Sequence, residues 1–180
     1  VLPLFRGSGV PSPAFRQSGL REPSRNVLHT DDGEWVGVRV IGAFDEGLDD
    51  WAPQGDAFEV RRSAGGLDHL RERLGAGFVT SVQRDGGETP TGTLTSPPFV
   101  VPEGGLLSMR VGGGAGDATV VRVLVGEREV AAFHGDGDDD LAYVWVDLAA
   151  EAGQEARVVV VDRDPTAHVT LDHVVLMQRR

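Results

Sequence analysis

The chain contains no cysteine and no lysine, and it has one isoleucine and one asparagine among its 180 residues. Without cysteine it has neither a disulfide framework nor a thiolate metal site. Its 17 basic residues, all of them arginine, are outnumbered by 28 acidic residues, which gives a formal net charge of −11. Because such a surface repels polyanions, the composition argues against nucleic acid and anionic lipid as partners.

Long apolar runs are also missing. No stretch approaches the length of a membrane-spanning helix, and no signal peptide is visible, so we expect no membrane insertion. The sequence opens with valine instead of methionine, and we therefore expect a processed protein or a piece of a longer one. Its length is sufficient for one domain with a proper core and an additional segment.

The sequence divides into two regions that differ in composition and in periodicity. Residues 1–33 mix proline, serine, arginine and glycine without a period, which predicts an irregular N-terminal arm or linker. Residues 34–180 alternate short apolar runs with turn residues, which predicts an antiparallel β-sandwich or barrel. The leucines at 67, 70 and 74 predict one short helix over residues 66–74. Strands are predicted near residues 35–41, 56–62, 77–83, 91–95, 105–111, 118–125, 128–134, 141–148, 156–162 and 168–176.

Three consecutive glycines occupy positions 112–114. A phosphate-binding glycine loop leads into a helix, whose amino end faces the anion. Here a β-branched, strand-like run follows, and no Lys-Ser/Thr pair accompanies it. The motif therefore predicts a wide turn that needs positive φ or a close backbone approach, and not a nucleotide site.

Alternation along residues 141–148 assigns the side chains of that strand to two faces. Val144 and Val146, with Ala142 and Leu148, should pack in the core, whereas Tyr143 and Trp145 point to the other side. The same reasoning directs Arg110 and Arg122 away from the core. If these strands share a sheet, its outer face presents rings and guanidinium groups, which together suit a sugar. The alternative is that residues 1–33 or a neighbouring domain cover the rings.

Several motifs together resemble one family. The segment "FDEGLDDWAPQGDAF" (44–58) is similar to the "DFE-G-L--W---GDAF" opening of β-sandwich modules found with bacterial levanases and fructosidases. Those modules are galactose-binding-like jelly rolls and include the family-66 carbohydrate-binding modules. The likeness continues through "PTGTLTSPPFVV", "RVGGG", "VRVLVGEREV", "LAYVWVDL" and "HVTLDHVVL", and it covers about residues 40–176. Ala43 and Thr166-Ala167 depart from the family pattern at the rim, where we expect them to affect the ligand and not the fold.

The resemblance implies an antiparallel jelly-roll β-sandwich and a function. It implies a non-catalytic carbohydrate-binding accessory module, fructan-binding in some relatives, within a larger secreted or cell-envelope bacterial protein and beside its catalytic domain. Sandwiches of this family commonly hold a structural calcium, and Asp45 and Asp172 match the positions that would bind it. The alternative for Asp172 is a hydrogen bond to a loop. His168 matches the family histidine, which is expected at the rim of the ligand site.

Recognisable catalytic motifs are missing. There is no Gly-X-Ser-X-Gly elbow, no His-Glu-X-X-His helix and no cysteine nucleophile, so we predict that the chain is not an enzyme. Three hypotheses remain: a sugar-binding accessory module, a structural sandwich that packs against a glycoside hydrolase or other enzyme domain, and a small hydrolase with an unrecognised acid pair. The predicted ligand-binding residues are Arg110, Arg122, Tyr143, Trp145 and His168.

Overall fold

The computed structural model describes residues 5–6, 21–62 and 70–180. In this part of the chain two antiparallel sheets form an all-β sandwich, as predicted. Two short 3-10 turns, Pro23–Arg25 and Ala149–Glu151, accompany the strands. The strands are β1 Phe5–Arg6, β2 Val27–Thr30, β3 Gly33–Gly42, β4 Ala52–Gly55, β5 Glu59–Arg61, β6 Phe78–Thr80, β7 Gly92–Thr95, β8 Phe99–Val100, β9 Gly105–Gly113, β10 Thr119–Val125, β11 Arg128–Phe133, β12 Asp138–Asp147, β13 Glu155–Asp162 and β14 Val169–Arg179.

The two sheets have different strand orders. Sheet A runs β1-β12-β9-β14-β3-β2, with β6 paired to the first part of β14 and β5 paired to β6. Sheet B runs β11-β10-β13-β7-β4, and β8 lies against the first residues of β13. Because β9 belongs to sheet A and β10 to sheet B, the chain crosses between the sheets just after the triple glycine.

The core lies between the sheets and follows the predicted alternation. Val144, Val146 and Leu148 of the β12 region are at most 2% exposed, and Ala142 packs against the same cluster. Alternate valines of β10 and β13 meet them from the other sheet, namely Val121, Val123, Val125, Val158 and Val160. Alternation along each strand therefore builds one continuous apolar core.

A bulge in β3 changes the predicted pattern of that strand. The alternation of residues 35–41 in the sequence predicts that Val36, Val38 and Val40 share a half-buried face. In the structure Gly37 pairs with Met177 and Arg39 with Leu176, so Val38 has no partner of its own, and it is 44% exposed. The prediction for Val38 is wrong because a bulge inserts an extra residue and breaks the period of two.

Two predictions concern segments that are described in part. Residues 66–69 of the predicted helix lie outside the described residues, and residues 70–74 are irregular, with Glu72 in the left-handed region at φ 64°. Within the predicted N-terminal arm, β1 pairs with β12 and β2 pairs with β3. Sheet A therefore includes residues on the N-terminal side of position 34.

Candidate functional site

The outer face of sheet A brings three of the predicted ligand-binding residues together. Arg110 on β9 is the cross-strand partner of Tyr143 on β12 and of Asp172 on β14. The guanidinium carbon of Arg110 lies 5.3 Å from the centroid of the Tyr143 ring. The rings of Tyr143 and Trp145 are 5.7 Å apart and tilted by 42°. This arrangement is an aromatic pair flanked by a cation, as the alternation of β9 and β12 predicts.

Much of this face is covered. Arg110 is 1% exposed, and Glu72 reaches over it to place Oε2 3.6 Å from Nη1. Leu74 packs on Tyr143, which is partly buried. Trp145, also partly buried, packs in a second apolar cluster that includes Leu28 of the predicted arm, and Trp35. The cover therefore comes from residues 70–74 and from the N-terminal segment.

Burial has an electrostatic consequence at this face. Desolvation lowers the pKa of Arg110, while the charges of Glu72 and Asp172 act in the opposite direction. Desolvation likewise raises the pKa of the Tyr143 hydroxyl. Arg110 is thus a buried cation that pairs with Glu72 and contacts the ring of Tyr143.

Arg122 does not belong to this face. It lies on β10 in sheet B, between β11 and β13, and its Nη1 is 2.6 Å from Oε2 of Glu129 on β11. The prediction that grouped Arg122 with Arg110 is wrong, because the two strands were assumed to share a sheet. Alternation gives the face of a side chain but not the sheet to which its strand belongs.

The triple glycine allows three loops to approach one another. A Cβ on Gly112 would lie 2.8 Å from the carbonyl oxygen of Asp140, and one on Gly113 would overlap the carbonyl oxygen of His168. A Cβ on Gly114 would overlap the hydroxyl of Thr119. Gly113 has φ 101°, and a strand follows at Thr119. The prediction of a close backbone approach is therefore confirmed.

His168 joins two acidic segments at the Gly113 end of β9. Its Nδ1 lies 2.7 Å from Oε1 of Glu88, and its Nε2 lies 3.1 Å from Oδ1 of Asp139. The residue is 7% exposed. His168 therefore fastens the loop that carries Glu88 to the beginning of β12 and does not lie beside the aromatic pair.

The carboxylates of Asp45 and Asp172 both accept hydrogen bonds from the loop of residues 74–77. Asp172 is fully buried, and its Oδ2 accepts a hydrogen bond of 2.6 Å from the backbone N–H of Leu74. Asp45 Oδ1 accepts hydrogen bonds from the N–H groups of Ala76, at 2.5 Å, and Gly77, at 3.2 Å. The hydrogen bond from Asp172 to a loop, which was the alternative to metal binding, is therefore present, and it leaves Oδ1 of Asp172 without a hydrogen-bond partner among the described residues.

Asp45 and Asp172 are the residues that would hold the calcium ion expected from the resemblance. Burial raises the pKa of Asp172 to about 8; the charge of Asp45 raises it as well, whereas the Leu74 N–H and Arg110 lower it. A buried, unpartnered oxygen beside a second carboxylate suits a hard cation. No group of three or more His, Asp or Glu side chains suited to a metal occurs among the described residues, so backbone carbonyls and water would complete the coordination.

A second buried polar pair, which the sequence analysis missed, anchors the N-terminal segment. His173 Nε2 lies 2.7 Å from Oδ1 of Asn26, and both residues are buried. Desolvation, and then the charge of Arg110, lowers the pKa of His173 to about 4, so the ring is neutral and donates from Nε2. The one indication in the sequence was that Asn26 is the single asparagine of the chain. Nothing in the neighbouring residues identified His173 as its partner.

Replacing Asn26 with alanine should lower the free energy of unfolding by about 1–3 kcal/mol, because the buried imidazole N–H loses its acceptor. Thermal or urea unfolding measures the change. Ser24→Ala is the control, since Ser24 lies on the same turn and is exposed; its effect should stay within about 0.5 kcal/mol. Equal effects of the two substitutions would contradict the role of this pair.

Two cavities open on the described surface. One, of about 450 Å³, lies beside the bulge of β3 and is lined by Arg21, Val38, Arg39 and Asp49, among others. The other, of about 540 Å³, lies between β5 and the loop 83–90; Glu59, Gln83, Arg84, Asp85, Thr89 and Pro90 contribute to its lining. Both volumes are in the range of small-molecule sites. The polar loop "QRDGGETP" was visible in the sequence as a turn, but its pairing with Glu59 was not.

Comparisons with known proteins place the fold. No protein-family profile matches the chain. The solved structures that resemble it include TmCBM61 in complex with beta-1,4-galactotriose (TM-score 0.50, 17% identity, 77% of this chain and 92% of that chain) and the K2 cleaved adhesin domain of Lys-gingipain (TM-score 0.53, 16% identity, 76% and 97%). The chain therefore has a β-sandwich fold that carbohydrate-binding modules share.

A curated protein gives a further match. The chain is 27% identical over 136 residues to the protein of Aspergillus rugulosus named "Putative glycosyl hydrolase ecdE". The match covers 72% of this chain and 19% of that relative, so the chain spans about a fifth of the relative's length. No helix in the described part of the chain is long and apolar enough to cross a bilayer.

Proposed function

We propose that this chain is a non-catalytic carbohydrate-binding accessory module of a larger secreted or cell-envelope protein. The aromatic pair of Tyr143 and Trp145 carries the proposal, because it lies on the outer face of a sandwich whose fold a galactotriose-binding module shares. Trp145 is partly exposed as a residue, whereas Tyr143 is contacted by Arg110 and packed against Leu74. A sugar ring would stack its C–H face on Trp145.

The resemblance in sequence supports a finer proposal. The motifs of residues 44–58 and 90–101 are similar to those of the family-66 modules of levanases and fructosidases, which makes fructans the first ligands to test. The relative named as a glycosyl hydrolase is much longer than this chain, in keeping with a module attached to a catalytic domain. A module that binds an extracellular polysaccharide has to be secreted in order to reach its ligand.

Two buried carboxyls bear on the prediction that the chain is not an enzyme. Burial raises the pKa of Asp172 and of Asp162, as glycosidase acids require, yet these residues are 0% and 1% exposed. Neither lines the two surface cavities described above. A general acid must reach its substrate, so these groups favour a structural role for both residues over hydrolysis.

Calorimetric titration of the chain with levan, inulin and β-1,4-galactan tests the proposal. Trp145→Ala should weaken binding of the active polysaccharide by at least about tenfold, since a stacked ring contributes about 1.4 kcal/mol or more. Arg122→Ala is the matched control, because Arg122 lies on the other sheet, and it should leave the affinity unchanged. Binding that is equally strong in the Trp145 variant would remove this face from the proposal.

A structural sandwich is the second candidate function. Arg110 is buried, and Trp145 packs with Leu28 and Trp35, as expected of a face that supports packing. For that function, Trp145→Ala should lower the melting temperature while no tested polysaccharide gives heat with the parent chain. Heat from the parent chain that the substitution abolishes at unchanged secondary structure would favour sugar binding.

A further inference from the structure

The pocket between β5 and the loop 83–90 is built from polar side chains on a fixed frame. Glu59 comes from β5, and Gln83, Arg84 and Asp85 come from the loop that follows β6. The Arg84 Nε lies 3.7 Å from Oε2 of Glu59 across the pocket. Oε1 of Glu59 is buried and has no hydrogen-bond partner among the described residues; the Nε of Arg61 is 3.6 Å from it.

A buried arginine that does not itself line the pocket joins the two segments that do. The side chain of Arg61 is 4% exposed, and its Nη1 donates to the carbonyl oxygens of Val82, at 3.1 Å, and Gln83, at 3.2 Å. These bonds join β5 to the first residues of the loop. Because the guanidinium fork is planar and rigid, it holds Glu59 and Gln83 at a set separation.

The loop itself is closed by its own hydrogen bonds. The Gln83 N–H donates to the carbonyl of Gly87 at 2.7 Å, and the Gly86 N–H donates to the carbonyl of Gln83 at 2.9 Å. The Gly87 N–H donates to Oδ1 of Asp85 at 2.9 Å. Glu88, the next residue, is tied to His168. The pocket wall is therefore ordered before any ligand arrives, which lowers the entropic cost of binding.

The chemistry of the lining restricts the ligand. Two carboxylates, Glu59 and Asp85, disfavour an anion, and the net charge of −11 adds to that effect. A free cation is disfavoured by Arg61 and Arg84, which lie against Glu59. Carboxylates and the side-chain oxygen of Gln83 accept hydrogen bonds from hydroxyl groups, whereas the Arg84 guanidinium donates to them. The Gln83 Nε2 already donates to the carbonyl oxygens of Ala57, at 3.4 Å, and Ser81, at 3.5 Å. The ring of Pro90 adds a small apolar surface.

We propose that this pocket is a carbohydrate subsite separate from Trp145, which binds a neutral sugar unit through its hydroxyl groups. The inference rests on the proposed function. Carboxylates, an amide and a guanidinium group recognise vicinal hydroxyls in complementary pairs. His168 is a positioning residue here, because it holds Glu88 at the end of the loop and does not line the pocket.

The experiment uses the full chain, labelled with ¹⁵N, and titrates it with β-1,4-galactotriose and with a fructan trisaccharide. Amide signals of Gln83, Arg84 and Gly87 should shift with the ligand that binds. Glu59→Gln and Asp85→Asn should each weaken that binding by about tenfold, since a hydrogen bond to a charged group is stronger than one to a neutral group. Asp31→Asn, at an exposed position on another loop, is the control and should bind as the parent does.

The outcomes separate this inference from the proposed function. Shifts confined to residues near Trp145, with full affinity in both pocket variants, would overturn the subsite and leave the module's function intact. Shifts at neither place with either sugar would overturn the subsite for these ligands, and the polysaccharide titration with Trp145→Ala then decides the function on its own. Unchanged amide spectra of the free variants show that each one has folded, and Asp85, which is exposed, provides the substitution least able to disturb the fold.

Discussion

Replacing Gly113 with alanine should lower the free energy of unfolding by about 3–5 kcal/mol or prevent folding altogether. Two costs add at this position. Gly113 has φ 101°, where a side chain strains the backbone, and its Cβ would overlap the carbonyl oxygen of His168, which immediately precedes the neighbouring strand β14. The overlapping oxygen belongs to the backbone and cannot rotate away as a side chain could, so β9 and β14 would have to separate.

Substitutions at two other glycines separate the cost of backbone strain from the cost of the steric overlap. Gly126 has φ 58° with nothing within 4 Å of an added Cβ, so Gly126→Ala should cost about 1–2 kcal/mol from backbone strain alone. Gly116 has open space and no positive φ, so Gly116→Ala should stay within about 0.5 kcal/mol of the parent. Urea unfolding of the three variants provides the comparison. A Gly113 variant no less stable than the Gly126 variant would show that the loops do not require this close approach.

The strands were predictable because their signal is local. Alternation along residues 141–148 placed Val144 and Val146 in the core, where they are 2% exposed. Strands β9 to β14 appear within a few residues of their predicted bounds. The exceptions also have local reasons: β4 contains Pro53 and is exposed along its length, and β8 is two residues long, so neither has an apolar period to detect.

The site was less predictable because its parts are distant in the sequence. Arg110 was assigned to the outer face, where it lies, but Glu72 pairs with it and Leu74 packs on Tyr143 from a loop that follows no period. Arg122 was misplaced because β10 crosses to the other sheet. The Glu59 pocket depends on Arg61 reaching the carbonyls of Val82 and Gln83. Such contacts depend on tertiary packing, which a one-dimensional pattern does not contain.

The predicted calcium site involves Asp45, Asp172 and the loop to which both are hydrogen-bonded. The family likeness indicated both residues, and the structure places both carboxylates on the segment 74–77. The geometry adds that Oδ1 of Asp172 has no partner among the described residues, although it is fully buried. A protein that leaves a carboxylate in this state loses stability when the group ionises, unless a cation is bound.

In the presence of a chelator, we therefore expect the free energy of unfolding to fall by about 2 kcal/mol as the pH rises from 6.5 to 8. The pKa of Asp172 is raised from an ordinary value of 3.8 to about 8 in the folded protein, so the folded state keeps a proton that the unfolded state has already released. That contribution to stability is fully present below pH 3.8 and is lost as the pH rises through about 8. The pKa of His173 is lowered to about 4, so its titration makes the free energy of unfolding rise with pH. That rise falls between pH 4 and 6.5, outside the range of pH 6.5 to 8 that the experiment uses.

Calcium should remove the pH dependence of stability that Asp172 causes. Because the ion keeps the carboxylate ionised, millimolar calcium should raise the melting temperature at pH 8 and flatten the pH profile between 6.5 and 8. Asp172→Asn should remove the pH slope in chelator and the response to calcium together, whereas Asp31→Asn, at an exposed position, should change neither. A parent chain whose unfolding curves at pH 8 coincide with and without calcium would exclude the ion and leave Asp172 as a buried, protonated carboxyl that holds the Leu74 loop by its hydrogen bond.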